Sequence, residues 1–167
     1  MKKCFLLLIL IICSCEKDDV CSENAPTTPR LVIEFYDITA PEKTKIVPGL
    51  KAFGIDETNE IVEIINETVL NRTILTLPLN VNNTQSKFKL YERYKLEDGV
   101  ESGNPDIITI TYDIEKVYVS RACGYSINFD INTFKISEDS ELWMDNYDFT
   151  LNNPITNEND VHIKIFH

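Results

Sequence analysis

Two histidines, five cysteines and 27 acidic residues are the side chains of this sequence that could carry acid–base, metal or thiol chemistry. Nucleophilic hydrolysis asks for an exposed serine on a sharp turn beside a base. The nearest string, Gly124-Tyr125-Ser126-Ile127-Asn128, lacks the second glycine of such a turn and lies in a strand pattern, so Ser126 is expected at a surface, as structure. Paired carboxylates serve glycoside hydrolysis, but 27 acids bring some pairs within about 5 to 10 Å by chance, and abundance empties the signal. Glu138, Asp139, Glu141, Asp145 and Asp148, and separately Asn157, Glu158, Asn159 and Asp160, offer hard oxygens to calcium without the glycine and spacing of a calcium loop, and read as solvated acidic loops. No catalytic residue is assigned.

Two binding patterns are better formed. Trp143, Tyr147 and Phe149 fall on one strand phase and could stack on sugar rings, although the single Trp of a small domain belongs more naturally in the core. Lys87, Lys89, Arg93 and Lys95 share a phase with Tyr91, opposite Phe88, Leu90 and Tyr94, which makes them the candidate binding surface for an anionic lipid or glycan. The structural alternative is that they pair with acids across strands or guard an edge strand. The formal charge of −11, from 16 basic and 27 acidic residues, opposes a general grip on phosphate backbones, so nucleic acid is not an expected partner.

The elements that must hold these residues read as strands. From Arg30 onward, turn residues recur every eight to twelve positions between stretches rich in Ile, Val, Thr, Tyr and Phe. Leu31, Ile33 and Phe35 alternate with Val32, Glu34 and Tyr36; Thr73, Leu75 and Leu77 with Ile74 and Thr76; Ile108, Ile110 and Tyr112 with Thr109 and Thr111. The longest run sets Val117, Val119, Arg121, Cys123, Tyr125, Ile127, Phe129 and Ile131 on one side, and the misfit Arg121 predicts two segments bent at a bulge near Gly124. Further strands are predicted at Leu50–Ile55, Phe88–Tyr94, Leu142–Leu151 and Val161–Phe166, separated by Pro48-Gly49, Asn80–Thr84, Asp98–Pro105 and Asn152–Asp160. Residues 59–68 fit either one helical turn or a short edge strand. The prediction is an all-β, antiparallel two-sheet sandwich of immunoglobulin-like size with seven to nine strands, forming one domain over residues 30–167.

The opening residues read as an address. Lys2 and Lys3, the apolar run from Cys4 to Ile12 and the small residues behind it have the layout of a secretory leader, and nine apolar residues at about 1.5 Å each are too short to span a bilayer. Ile12-Cys13-Ser14-Cys15 resembles the lipobox of bacterial lipoproteins. That resemblance implies a signal peptide at 1–14, lipidation of Cys15 and a short acidic tether over 15–29. Glu16-Lys17-Asp18-Asp19 resembles the export signal of Bacteroidota lipoproteins, which implies an outer-membrane anchor with the cell surface favoured over the periplasmic face.

With Cys4 and Cys13 in the leader and Cys15 lipidated, Cys21 and Cys123 remain in an oxidising compartment, and a disulfide between them is expected. Buried free thiols, or an intermolecular bond through Cys21, are the alternatives. Two sulfurs and His162 and His167 lack zinc-ligand spacing, so neither a metal nor a cofactor is expected. Cys21, Thr28-Pro29-Arg30-Leu31, Leu77-Pro78-Leu79, Val119-Ser120-Arg121-Ala122-Cys123-Gly124-Tyr125 and His162-Ile163-Lys164-Ile165 resemble a family of uncharacterised Bacteroidota lipoproteins of unknown function. The resemblance implies anchoring and a shared fold and transfers no catalytic residue. The expected function is a non-catalytic binding or assembly module held at the membrane by its lipid, with an envelope protein or glycan as partner. The alternative is a small carboxylate-dependent enzyme acting on glycan or peptide.

Overall fold

Alternating burial along the strands builds the molecule. The structure, a computed structural model, describes residues 20–22, 25, 27–137, 141–150 and 153–167. Cys15, the leader, the acidic run 16–19, Glu138, Asp139, Leu151 and Asn152 lie outside the described residues. Eleven strands are present among them: β1 (Leu31–Asp37), β2 (Ala40–Thr44), β3 (Val47–Ile55), β4 (Ile61–Ile64), β5 (Leu70–Arg72), β6 (Ile74–Leu77), β7 (Gln85–Glu97), β8 (Val100–Ser120), β9 (Gly124–Ile136), β10 (Asn146–Phe149) and β11 (Ile163–Phe166). The all-β sandwich expected from alternation is the observed fold. Its strand count exceeds seven to nine because β2, β4, β5 and β10 are short pieces of three to five residues.

The smaller sheet runs β10-β11-β1-β2, with β6 also on β1, and the larger runs β4-β3-β7-β8-β9, with β5 on β3. β1 and β11 pair in parallel, Ile33 beside Ile163 and Phe35 beside Ile165, while the other described ladders are antiparallel. Leu31, Ile33 and Phe35 of β1, Leu75 and Leu77 of β6, and Ile163 and Ile165 of β11 meet Leu50, Ala52, Phe88, Leu90, Ile108, Ile110, Tyr112, Phe129 and Phe134 of the larger sheet in one buried cluster. At about 0.8 kcal/mol per buried methylene, this apolar layer is what holds the two sheets face to face.

β7 departs from simple alternation. Glu92 pairs with Asn104 and Lys95 with Ser102, so Arg93 and Tyr94 oppose one residue, and Arg93 sits in the left-handed region at φ 54°. The backbones flanking this bulge come so close that a Cβ on Gly49 would lie 2.8 Å from Arg93 Cα, and one on Gly103 would lie 2.9 Å from the Glu92 carbonyl. Both glycines have positive φ, 60° and 125°. Pro48-Gly49 and Asp98–Pro105, expected as connections, are therefore largely strand: the glycines make room for a neighbour's bulge, and only Asp98 and Gly99 turn the chain between β7 and β8. Tyr94, expected beside Phe88 and Leu90, crosses to the outer face.

Other expectations meet the structure nearby: two are corrected, the placement of the run 117–131 and of Ser126, and two are met, the edge strand near 61–64 and Trp143 in the core. The run 117–131 is a hairpin, with residues 121–123 in the turn between β8 and β9. Tyr125 consequently stands 66% exposed, whereas Ser126, expected at the surface, is buried. Residues 61–64 form the exposed edge strand β4. Trp143 precedes β10 and is buried, packing 5.8 Å from Phe35, so it does not form an exposed row with Tyr147 and Phe149.

Alanine at Gly49 or Gly103 is predicted to cost about 2 to 3 kcal/mol in urea unfolding, from backbone strain plus a clash with β7. Gly99→Ala, at φ 80° in open space, should cost about half as much. Equal losses at all three positions would contradict the bulge packing.

Candidate binding surface and disulfide staple

The outer face of the larger sheet carries the basic residues singled out in the sequence. Phe53, Lys89 and Ile107 stand side by side across β3, β7 and β8, as do Lys51, Tyr91 and Pro105, and Lys87, Thr109 and Lys135 across β7, β8 and β9. Lys87, Lys89 and Tyr91 share this face as alternation requires. Arg93 does not extend the row, because it occupies the bulge and pairs with Glu92 at 3.0 Å, and Lys95 follows the phase reset. The stripe thus holds three of its five residues. β7 lies between β3 and β8, so these lysines do not guard an edge. Lys87 Nζ donates to Asn59 Oδ1 at 2.9 Å and stands 4.0 Å from Glu57, a partly screened surface pair.

An aromatic cluster replaces the missing half of the stripe. Phe53, Tyr91 and Tyr94 pack edge to face with centroids 5.2 to 6.0 Å apart, and Lys51 lies 5.3 Å over the Phe53 ring. The Tyr94 hydroxyl donates to Glu101 at 3.0 Å, and that of Tyr91 to the same carboxylate at 3.5 Å. Burial first, and the Glu101 charge second, push the Tyr91 phenol above its usual range. Sequence reasoning missed this cluster; its signal was two glycines level with Arg93 on the neighbouring strands, which is invisible without the register. Beside it, a groove of about 480 Å³ opens between β3, β4 and the loop before β7, lined by Asp56, Glu57, Glu63, Asn83, Gln85 and Lys87.

The groups suited to catalysis are engaged in holding the fold. His162 is buried, and its Nδ1 accepts the Val32 N–H at 2.9 Å, which fixes the neutral ring with its proton on Nε2. His167 is buried against Phe35 and Trp143, and its main-chain oxygen accepts from Lys45 Nζ at 2.6 Å. Burial depresses both imidazoles, aided at His167 by the Lys45 cation. Asp106 Oδ2 accepts the N–H groups of Trp143 at 3.1 Å and Met144 at 2.8 Å, pinning the segment before β10. Ser126 is buried in β9. Of the acidic string 157–160, Glu158 forks onto the Arg30 guanidinium at 2.6 to 3.1 Å, and Asn157 Oδ1 caps the Asn159 N–H at 2.8 Å. Among the described residues no group of three or more His, Cys, Asp or Glu side chains is placed to hold a metal ion.

Cys21 and Cys123 form the expected disulfide, closing a sequence separation of 102 residues with the Cα atoms 4.9 Å apart. For a loop near 100 residues, the chain-entropy model gives a stabilisation of about 4.7 kcal/mol. The bond lands in the turn between β8 and β9, at the far end of their hairpin. The β7 ladder ends at Thr111, and β8 and β9 pair on from Tyr112 to Ser120 and back from Gly124; Phe129, opposite Ile114, is also bridged to Ile155, and beyond this pair the two strands form a ribbon. At its end Tyr118 and Tyr125 pair across the strands, 58% and 66% exposed, with centroids 5.5 Å apart.

An all-β sandwich with this stapled ribbon defines the structural class. The family described as a family of unknown function, DUF6452, matches residues 50–167, and the chain belongs to it. The matched stretch starts inside β3 and contains Cys123 but not Cys21. No curated protein and no solved structure matches the chain.

The buried neutral histidines set a pH dependence. Their folded pKa values lie below the unfolded value of about 6.5, so the unfolded chain takes up protons first as pH falls, and stability present above about pH 6.5 is lost below it. Urea midpoints should therefore fall between about pH 7.5 and 5.5, above the range where carboxylates titrate. A midpoint unchanged across that interval would show that the Val32–His162 bond is not maintained in solution.

Proposed function

We propose that this protein is an envelope lipoprotein, anchored through lipid on Cys15 in the outer membrane, which acts as a non-catalytic binding or assembly module. The observation that carries the reading is the Cys21–Cys123 bond. Six residue steps separate Cys15 from Cys21, at most about 20 Å of extended chain, so a lipid on Cys15 would hold the folded body against the bilayer. A disulfide also suits an exported protein in an oxidising compartment. Three acyl chains, at about 0.8 kcal/mol per buried methylene, exceed what stable anchoring requires.

The partner surface in this reading is the outer face of the larger sheet, where Lys87, Lys89 and Lys135 lie beside the Phe53–Tyr91–Tyr94 cluster. Cations concentrated on one face of a chain carrying −11 overall favour an anionic envelope glycan or an acidic protein patch. The non-catalytic reading is supported by the engagement of His162, His167, Asp106 and Ser126 within the fold.

The native protein should enter the detergent phase on phase partitioning, with acyl chains on Cys15 by mass spectrometry of its N-terminal peptide, and Cys15→Ala should shift it to the aqueous phase. A soluble native protein with an unmodified Cys15 would refute the anchor. For the surface, Lys87→Ala with Lys89→Ala should reduce what is captured with the protein from its native membrane, and equal recovery would remove the lysine face from the account.

A further inference from the structure

The ribbon formed by β8 and β9 beyond the sheet ends in two exposed aromatic rings whose role the fold does not explain. Tyr118 and Tyr125 contribute nothing to the buried core cluster, yet they meet edge to face with centroids 5.5 Å apart and present most of their surface to solvent. An exposed aromatic pair at the tip of a projecting element marks a surface that meets something. Three observations identify what.

The first is covalent. Cys123 lies two residues before Tyr125, and its partner Cys21 is six residues from Cys15, so the tip is the part of the body closest along the chain to the lipid attachment point. The second is chemical: a phenol ring has an apolar body and a polar end, the combination that settles at the level of lipid headgroups. The third is charge. Lys116 pairs with Ile127 and therefore stands on the same ribbon face as Tyr118 and Tyr125, while Glu115 and Asn128, which bond to each other at 3.3 Å, pair on the opposite face. The tyrosine face thus offers a cation and apolar surface where headgroup phosphates and the outer ends of acyl chains meet.

We infer that the β8–β9 tip is a membrane-interface seat, in which Tyr118 and Tyr125 rest among the headgroups beside the anchored lipid and set the orientation of the domain. The inference rests on the lipid anchor at Cys15 proposed above and adds the contact that fixes how the body stands. In that pose β8 runs away from the bilayer, and its far end at Val100 is 18 residues from Tyr118, up to about 60 Å of strand. The basic and aromatic face of the larger sheet is then turned sideways, open to a partner in the aqueous layer.

The test uses the full lipidated chain in vesicles of phosphatidylethanolamine and phosphatidylglycerol, with or without brominated acyl chains that quench nearby indoles. Tyr118→Trp and Val100→Trp are prepared separately, and the emission of buried Trp143, measured in the parent protein, is subtracted from each. The seat predicts that Tyr118→Trp loses most of its added emission in brominated vesicles while Val100→Trp keeps its own. Vesicle flotation with no quenching at Tyr118→Trp overturns the seat and leaves the anchor standing. If that unquenched emission varies with protein density in the membrane, a second copy covers the tyrosines, which also overturns the seat. Failure to float overturns the anchor and the seat together.

Discussion

A single covalent constraint connects the two halves of this molecule's story. The bond from Cys21 to Cys123 joins the segment ahead of the sandwich to the tip of its longest hairpin, so whatever holds the start of the chain also holds the end of that ribbon. The stabilisation expected from a cross-link of this span, about 4.7 kcal/mol, is a substantial share of the roughly 5 to 15 kcal/mol that a domain retains. The bond therefore acts twice, on stability and on placement. Its second effect is on length: only six residue steps, at most about 20 Å, separate the bonded Cys21 from Cys15.

Within the sandwich the decisive interaction is different. Apolar residues at alternate positions of β1, β6 and β11 face those of β3, β7, β8 and β9, and several polar groups inside this layer are matched by hydrogen bonds, whereas the buried Nε2 of His167 has none among the described residues. Tyr112 meets Ser86 at 2.7 Å and the Asn80 carbonyl at 2.9 Å, His162 takes the Val32 N–H, and Asp106 takes two backbone donors. An unmatched buried group would cost about 1 to 3 kcal/mol, so these contacts contribute to holding the two sheets together. His162 Nδ1 and Asp106 Oδ2 are thereby committed to backbone donors, while Ser126 and His167 are buried. What is left facing solvent is a surface suited to contact: lysines, an ordered aromatic cluster and two tyrosines on a projecting tip.

How much of this was legible in the sequence follows from which signals are local. Period-two alternation in 31–36, 73–77 and 108–112 marked true half-buried strands, because burial on one face is written into adjacent residues. The disulfide was legible by elimination among five cysteines. The β7 bulge was not, since it depends on Gly49 and Gly103 arriving from two other strands at the level of Arg93, and register is a property of three segments at once. That one feature explains why Pro48-Gly49 read as a turn, why Tyr94 was assigned to the core and why the lysine stripe read as five residues. The run 117–131 misled for a related reason: the chain reverses at 121–123 and a register shift there pairs Val117 with Ser126 and Tyr118 with Tyr125, so residues that alternate in one phase along the sequence fall on opposite faces of the hairpin.

The central claim is that the disulfide shortens the tether and keeps the body at the membrane, and neutron reflectometry of the lipidated protein on a supported bilayer measures it directly. The native protein should give protein density beginning within about 20 Å of the headgroups. With both cysteines replaced by serine, up to 15 residue steps before Arg30 are released, about 50 Å of chain, and a hydrated gap should open under the domain. The same separation for both proteins would contradict the account.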